Sequence, residues 1–201
     1  VILMMDFKEI ENKVVNKYIE LIMDPNENDY SLNNISKKLK LKISHLNSLY
    51  PFEEKANNLY FLKIFLQNLD KNVLFKFQKE ISNEKLTNFE KILEGIFLRF
   101  EELFKYKPAV LKLSQNINNK FINFNLLFLD NHIFMLKLLK FSGIKGQLIK
   151  SNLRATLLNG LFIKNMNSFL TNETDNINLI MRTVDNDLKK LFELNVFFGE
   201  F

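Results

Sequence analysis

Apolar residues recur at helical spacing along almost the whole chain, and this pattern predicts an all-α protein. Near the N-terminal end, Phe7, Ile10, Val14, Tyr18 and Leu21 are three or four positions apart. Residues with that spacing share one face of an α-helix. Similar stripes, separated by short polar breaks, predict nine helices, over residues 7–23, 31–39, 43–50, 54–81, 86–104, 108–117, 121–141, 147–170 and 174–197.

The ends of the first three helices carry the residues that usually mark helix boundaries. Asp6 and Glu9 have the spacing of a capping box, and Ser31 is a good N-cap for the second helix. Pro25 and Pro51 end the first and third helices, because proline disfavours helix in the residue before it. The sequence therefore predicts a small three-helix head, residues 1–52, followed by a larger helical body, residues 53–201.

The composition fits a helical protein and narrows the chemistry. Among 201 residues there are 5 glycines and 3 prolines, far fewer turn residues than strand-rich folds need. There is no cysteine, which excludes disulfides, thiolate metal sites and a cysteine nucleophile. The absence of cysteine also fits a reducing compartment, and we expect a cytoplasmic location. No apolar stretch approaches the ~20 residues that a membrane-spanning helix requires, so we expect no membrane span.

The positive charge is concentrated in the head. The net charge is +5, and residues 31–51 contain four lysines and one histidine but no acidic residue. Charge runs of this kind are often only solvated helix faces, but a basic stretch also favours a polyanionic partner. The candidates for phosphate contact are Lys37, Lys38, Lys40 and Lys42.

The segment SLNNISKKLKLKISHLNSLYP, which begins at Ser31, resembles the helix-turn-helix of TetR-type bacterial regulators. In this resemblance Ile35 and Ser36 take the place of an Ile-Ala pair, residues 40–42 form the turn, and residues 43–50 form the recognition helix. The runs FLRFEELFKYKPAVLKL and SGIKGQLIKSNLRATLLNGLF look like a TetR-like subgroup. That subgroup shares its architecture with lipid-binding accessory proteins of ubiquinone biosynthesis.

The resemblance implies a TetR-like fold and a transcriptional regulator that binds operator DNA as a homodimer and responds to a small apolar ligand. A recognition helix places side chains against base edges in the major groove, and asparagine can pair with adenine there. The base-reading candidates are Ser44, His45, Asn47 and Ser48.

Four positions depart from the TetR pattern and leave a second function open. Lys40 stands where the family has the turn glycine, and Lys42 where it has serine or threonine. Asn47 replaces an aromatic residue, and Glu53 replaces a basic one. The alternative is a TetR-fold protein that binds a lipid or isoprenoid and no longer binds DNA.

The body supplies the residues for the implied ligand and for dimerisation, although a helical body of this size also needs such residues for its own core. The ligand-pocket candidates are Phe65, Phe97, Phe100, Phe104, Phe124, Phe128, Met135, Phe162 and Met166. The last two predicted helices carry apolar and small residues that suit a four-helix dimer interface. The dimer candidates are Leu153, Leu157, Gly160, Ile177, Ile180, Met181, Val184 and Leu188.

Catalysis has little support in the sequence. His45 and His132 are the only histidines, and they are far apart along the chain. The sequence has no HExxH, GxSxG, GxGxxG or phosphate-loop motif. We therefore expect no enzymatic activity, no cofactor and no metal site.

Overall fold

The computed structural model describes residues 7–52, 54–115, 120–144, 146, 148–171 and 176–194, and these residues form nine helices without a strand. The prediction of an all-α fold is confirmed. The helices are α1 (Phe7–Met23), α2 (Leu32–Leu39), α3 (Ile43–Leu49), α4 (Glu54–Glu80), α5 (Asn88–Phe104), α6 (Lys107–Gln115), α7 (Lys120–Phe141), α8 (Leu148–Thr171) and α9 (Ile177–Glu193). Within the described residues, no helix is both long enough and apolar enough to cross a bilayer.

Two helices, α5 and α9, begin two or three residues later than the apolar pattern predicts, because a capping side chain fixes the start. Thr87 caps α5: its hydroxyl accepts from the Glu90 N–H at 3.2 Å, and its own N–H donates to the Glu90 carboxylate at 2.8 Å. The hydrogen bonds that the N–H and the hydroxyl of Thr87 donate to this carboxylate lower the pKa of Glu90. Asn176 caps α9 by accepting from the Asn178 N–H at 3.1 Å, so the predicted start at 174 is wrong. Asp6, the predicted cap of α1, lies outside the described residues.

The chain divides into two compact units. Unit 1 comprises Val1–Gln67 and Tyr106–Asn123, and unit 2 comprises Asn68–Lys105 and Phe124–Phe201. Unit 1 therefore contains α1, α2, α3 and α6 together with the first part of α4 and the first residues of α7. The predicted division into a DNA-binding head, residues 1–52, and a ligand-binding body, residues 53–201, concerns function and stays a prediction.

Unit 1 is built around α1, which packs against α2 and α6. The side chains of Val14, Ile35 and Leu46 are fully buried and bring α1, α2 and α3 into one core. The segment before α2 is also fixed: the Tyr30 hydroxyl donates to the Glu27 carbonyl at 2.6 Å, and Lys112 of α6 donates to that hydroxyl.

Unit 2 is built on α5, α8 and α9, with α9 packed against both α8 and α5. The helices α5 and α7 approach each other closely at Gly95, where an added Cβ would overlap the Leu138 side chain. Both Gly95 and Leu138 are buried, so a larger residue at position 95 would require the Leu138 side chain to move within the core.

A buried ion pair lies in the core of unit 2. Arg99 of α5 donates from Nε and Nη2 to the two carboxylate oxygens of Asp70, both at 2.7 Å, and Nη2 also donates to Asn131 at 2.7 Å. The guanidinium lies against the rings of Phe134 and Phe162, 4.2 and 4.4 Å from their centroids. Burial raises the pKa of Asp70, and the charge of Arg99 opposes that rise. The pair links α4, α5 and α7.

Candidate nucleic-acid interface

The basic segment begins with α2, whose N-terminus is closely held. The Ser31 hydroxyl accepts from the Asn34 N–H at 3.3 Å, as the sequence predicts for an N-cap. The Asn34 side chain donates to the Asp29 carbonyl at 2.6 Å, and the Asp29 carboxylate accepts from the Ser31 N–H at 2.9 Å. These bonds hold the incoming chain against α2 and so define where the helix begins.

The connection between α2 and α3 is a tight turn of residues 40–42, in the place where the sequence predicts a break. Lys40 has φ +55°, in the left-handed region. The Lys40 N–H donates to the Lys37 carbonyl at 3.2 Å, and the Leu41 N–H donates to the Ser36 carbonyl at 2.9 Å. This pair of bonds is a Schellman motif, in which glycine is the usual left-handed residue. Lys40 is therefore held in the conformation that glycine usually adopts at the end of a helix.

Replacing Lys40 with glycine is expected to raise the free energy of unfolding by about 0.5–1 kcal/mol. A left-handed conformation costs a residue with a Cβ about 1–2 kcal/mol, and the greater freedom of glycine in the unfolded chain offsets about 0.5–1 kcal/mol of that. Urea unfolding followed by circular dichroism measures the change. Lys40→Ala is the matched control, because it also removes the charge but keeps the Cβ. Equal stabilities of the two variants would contradict the expectation.

The short helix α3 has one buried anchor and one exposed polar face. Leu46 is fully buried, whereas Ser44, His45, Asn47 and Ser48 are all exposed. The Ser48 hydroxyl donates to the His45 carbonyl at 2.8 Å, within the helix. The structure thus places all four base-reading candidates on the exposed surface of a single helix.

Aromatic packing fixes the C-terminal end of α3. The ring of Tyr50 lies 5.0 Å from that of Phe61, and Phe61 lies 5.1 Å from Tyr18, between ring centroids. The side-chain amide of Asn57 donates to the Phe52 carbonyl at 3.0 Å and to the Tyr50 carbonyl at 3.4 Å. Burial raises the pKa of the Tyr50 hydroxyl. The end of α3 is therefore tied to α1 and α4 rather than left as a free loop.

Neighbouring acidic residues reduce the charge of α2, which the sequence of residues 31–51 does not indicate. Lys38 forms an ion pair with Glu27 at 2.9 Å, which lowers the pKa of Glu27 and raises that of Lys38. Lys37 lies close enough to Asp29 to contribute to the lowered pKa of Asp29, whose main cause is its bonds to Ser31.

The two lysines of the turn, Lys40 and Lys42, differ from the lysines of α2. Lys40 and Lys42 are exposed, and neither forms an ion pair within the part of the chain that the structure describes. They begin and end the turn that leads into α3, so their charges adjoin its exposed face. They are the cations of this segment that are best placed for phosphate.

A small cavity lies beside α3 in unit 1, and sequence reasoning did not identify it. Its volume is about 170 Å³, and it is lined by Tyr30, Ser31, Leu32, Asn33, Ile43, Asn47, Phe52, Asn57, Asn58 and Phe61. Residues from α2, α3 and α4 meet there, at sequence separations that no short motif spans.

The ligand-pocket candidates are distributed over both units. Phe65 packs in unit 1, with its ring 4.9 Å from that of Tyr106. Phe100, Met135 and Phe162 are buried in unit 2, where the rings of Phe100 and Phe162 lie 4.8 Å apart. The remaining described candidates, all half-buried, are Phe97, Phe104 and Met166, and the side chains of Phe124 and Phe128 lie outside the described residues.

Part of the predicted dimer stripe is already used inside the chain. Ile180, Val184 and Leu188 are buried by the chain itself, within unit 2. A partner would therefore meet the more exposed candidates, of which Leu153 is 43% exposed and an added Cβ on Gly160 would touch nothing within 4 Å. The half-buried candidates are Leu157, Ile177 and Met181.

No family model, curated protein or solved structure matches this chain. Within the described residues, no group of three or more histidine or acidic side chains is placed to hold a metal ion.

Proposed function

We propose that the chain is a DNA-binding regulator of the TetR type, in which α3 lies in the major groove. The observation that carries the proposal is the exposed face of α3, where Ser44, His45, Asn47 and Ser48 lie next to the turn lysines Lys40 and Lys42. Polar side chains of this kind form hydrogen bonds to base edges, and lysines hold the register through phosphate contacts.

The left-handed turn at Lys40 supports this proposal. A helix-turn-helix joins its two helices by three or four residues, and the connection between α2 and α3 has this length and a Schellman closure. The buried Leu46 and the aromatic contacts of Tyr50 fix α3 on unit 1. A helix that is already fixed loses less conformational entropy on binding in a groove than a helix that must first become ordered.

DNA affinity is expected to depend on the two turn lysines. The double variant Lys40→Ala/Lys42→Ala should lower the slope of log K against log salt concentration by about 1.8, since each phosphate contact contributes about 0.9. Fluorescence anisotropy with duplex DNA from the region flanking the gene, at several salt concentrations, measures this slope. Lys71→Ala, which removes an exposed lysine from α4, is the control and should leave the slope unchanged.

Sequence discrimination gives the decisive result. Asn47→Ala should reduce the preference for the flanking DNA over random duplex by about 5- to 150-fold, because one bidentate base contact contributes about 1–3 kcal/mol. If the unmodified protein does not prefer its flanking DNA to random duplex, the proposal is wrong.

Exposed apolar side chains on α7 and α8 support the proposal of a homodimer. Leu129 and Ile133 are one helical turn apart on α7, with 60% and 50% exposure, and Ile149 and Leu153 are one turn apart on α8, with 81% and 43% exposure. His132 Nε2 and Asn152 Oδ1 are 3.0 Å apart, which joins the two helices beside these residues. An apolar surface of this kind suits an isologous contact with a second copy.

Charges placed on this surface should separate the dimer. Ile149→Glu/Leu153→Glu is expected to raise the dimer dissociation constant at least about 100-fold, since central apolar contacts each contribute about 2 kcal/mol or more. Sedimentation velocity measures the constant. Phe75→Glu, which places the same charge at an exposed apolar side chain of α4 in unit 2, is the control. A monomeric unmodified protein, or a double variant that dimerises normally, would contradict this expectation.

The ion pair between Lys38 and Glu27 favours a second candidate function. It removes one of the four lysines from phosphate contact, as expected of a TetR-fold protein that has left DNA and binds a lipid or isoprenoid. Mass spectrometry of solvent extracts from the purified protein tests this candidate. A co-purifying lipid together with absent sequence discrimination favours it, and an empty protein that binds its flanking DNA excludes it. In the first proposal, too, the regulator binds an apolar ligand in the body, residues 53–201.

A further inference from the structure

An acidic side chain that precedes the basic segment, residues 31–51, is fixed against it. The Glu27 carboxylate pairs with Lys38 of α2 through Oε2 at 2.9 Å, and its Oε1 accepts from the Asp29 N–H at 3.3 Å. The Glu27 N–H donates to the Asp24 carbonyl at 3.3 Å, and the Glu27 carbonyl accepts from the Tyr30 hydroxyl at 2.6 Å. Both carboxylate oxygens and both backbone polar groups of Glu27 are therefore engaged.

The two partners of this ion pair differ in exposure. The Lys38 side chain is 46% exposed, and the Glu27 side chain is 19% exposed. Because the turn already holds Glu27, formation of the pair restricts mainly the flexible lysine side chain. The bond to Glu27 raises the pKa of Lys38, and the charges of Asp24 and Glu20 add to that rise. A carboxylate in a fixed position therefore holds the Lys38 ammonium, with two further acidic side chains nearby.

Lys38 lies where a helix-turn-helix meets DNA phosphate. It is in the last turn of α2, two residues before Lys40 and the turn that leads to α3. The first helix of a helix-turn-helix crosses the DNA backbone, and lysines contact phosphate there. A phosphate and a carboxylate are alternative acceptors for one ammonium group, and they repel each other. Contact between Lys38 and DNA therefore requires either that the pair with Glu27 breaks or that a phosphate approaches a carboxylate.

We propose that Glu27 competes with DNA phosphate for Lys38 and thereby limits the affinity of the protein for DNA. The competition rests on the proposed function, in which α2 and α3 contact a duplex. Lys40 and Lys42 form no ion pair within the described residues, so they contact phosphate while Lys38 stays with Glu27. Glu27 therefore acts as an inhibitory contact within the head.

Removing the charge of Glu27 is expected to strengthen DNA binding. Glu27→Gln keeps a side-chain oxygen that can accept from the Asp29 N–H, but it releases Lys38. Because an exposed ion pair contributes little, the affinity for duplex DNA should rise about two- to fivefold. One more phosphate contact should steepen the slope of log K against log salt concentration by about 0.9. Fluorescence anisotropy at several salt concentrations measures both quantities.

A double-mutant cycle identifies the lysine that Glu27 holds. In the unmodified protein, Lys38→Met should change the slope by less than about 0.3, because Lys38 does not reach phosphate there. In the Glu27→Gln background, the same substitution should make the slope shallower by about 0.9. The cycle uses random duplex, because phosphate contacts do not depend on base sequence. Circular dichroism checks that each variant is folded.

Two matched variants are the controls. Lys37→Met removes the neighbouring exposed lysine of α2, and its effect on the slope should be the same with and without Glu27→Gln. Glu20→Gln removes a nearby carboxylate that pairs with Lys17, and it should leave the effect of Lys38→Met unchanged. Coupling as large in either control as between Glu27 and Lys38 would show a general charge effect and would overturn the competition.

The ion pair itself can be tested without DNA. NMR titration of the glutamate carboxyl groups of the ¹³C-labelled chain should give Glu27 a pKa below its usual value, because the bond to Lys38 is the main cause that lowers it. Lys38→Met should raise the pKa of Glu27 towards the usual value, and Lys37→Met should change it far less. Equal pKa values of Glu27 in the unmodified protein and in Lys38→Met would mean that the pair does not form, and would overturn the proposal.

The results with DNA separate the competition from the proposed function. Coupling between Glu27 and Lys38 on random duplex, in a chain that does not prefer its flanking DNA, supports the competition and rejects the reading of base sequence. A slope that Lys38→Met makes shallower by about 0.9 in both backgrounds means that Lys38 already reaches phosphate, and overturns the competition. Lys38→Met without effect in either background also overturns it, because Lys38 is then no phosphate contact. A chain that binds no duplex rejects both.

Discussion

Replacing Arg99 with methionine is expected to lower the free energy of unfolding by about 3–5 kcal/mol. The substitution keeps the apolar stem between Phe134 and Phe162 but leaves the Asp70 carboxylate buried without its two hydrogen bonds. An uncompensated buried charge is among the most destabilising changes in a protein. Urea unfolding followed by circular dichroism measures the loss.

The double variant Asp70→Leu/Arg99→Met shows where the cost arises. Replacing both partners of a buried pair with apolar residues is often close to neutral, so most of the stability should return. Arg99→Lys is a further control: it keeps the charge but loses the paired contact with both carboxylate oxygens, and its loss should be intermediate. A loss under about 1 kcal/mol for Arg99→Met, or additive losses in the double variant, would contradict the expectation.

Replacing Phe61 with alanine is expected to cost about 3–5 kcal/mol of unfolding free energy. Phe61 is 1% exposed, and its ring contacts those of Tyr18, Tyr50 and Tyr60. Removing the ring opens a cavity at the point where α1, the end of α3 and α4 meet. Urea unfolding of unmodified protein and variant measures the cost.

Phe61→Leu separates loss of volume from loss of the aromatic contacts. Leucine fills most of the space, so the variant should lose less than half as much stability as Phe61→Ala. Because Phe61 packs against the C-terminal end of α3, Phe61→Ala should also weaken the proposed discrimination between DNA sequences under conditions where the variant remains folded. Equal losses for the leucine and alanine variants would argue against a packing role for the ring.

The helices were predictable because each is encoded by neighbouring residues. The apolar stripe of α1, the serine cap of α2 and the break at residues 40–42 can be recognised from spacing and residue type alone. The start of α5 was missed because Leu86 continues the apolar pattern, while Thr87 and Glu90 form the capping box that begins the helix at Asn88.

The candidate interface was only partly predictable. The exposure of Ser44, His45, Asn47 and Ser48 follows from their positions around the buried Leu46. The loss of Lys38 to an ion pair was not predictable, because Glu27 precedes the basic segment and approaches α2 only after the chain turns at Pro25. A count of charges within one segment of sequence does not include an acidic residue that a turn brings back against that segment.

Contacts between distant residues were beyond sequence reasoning. Asp70 and Arg99 are 29 residues apart, and nothing in the local pattern of α4 or α5 pairs them. The apolar residues of α9 show that sequence spacing has the same limit. Their helical spacing is the same whether the helix is buried by its own chain or by a partner. Val184 and Leu188 are covered within unit 2, whereas Leu153 on α8 remains exposed.

The close approach at Gly95 has a genetic consequence. Every single-nucleotide change in a glycine codon that alters the amino acid adds a Cβ, and at this position the Cβ would overlap Leu138. A substitution there therefore requires the Leu138 side chain to move, unless Leu138 first changes to a smaller residue such as valine, which one nucleotide change in a leucine codon achieves. Gly160 has no such restriction, because its Cβ would meet nothing within 4 Å. Two glycines of unit 2 should therefore evolve at very different rates.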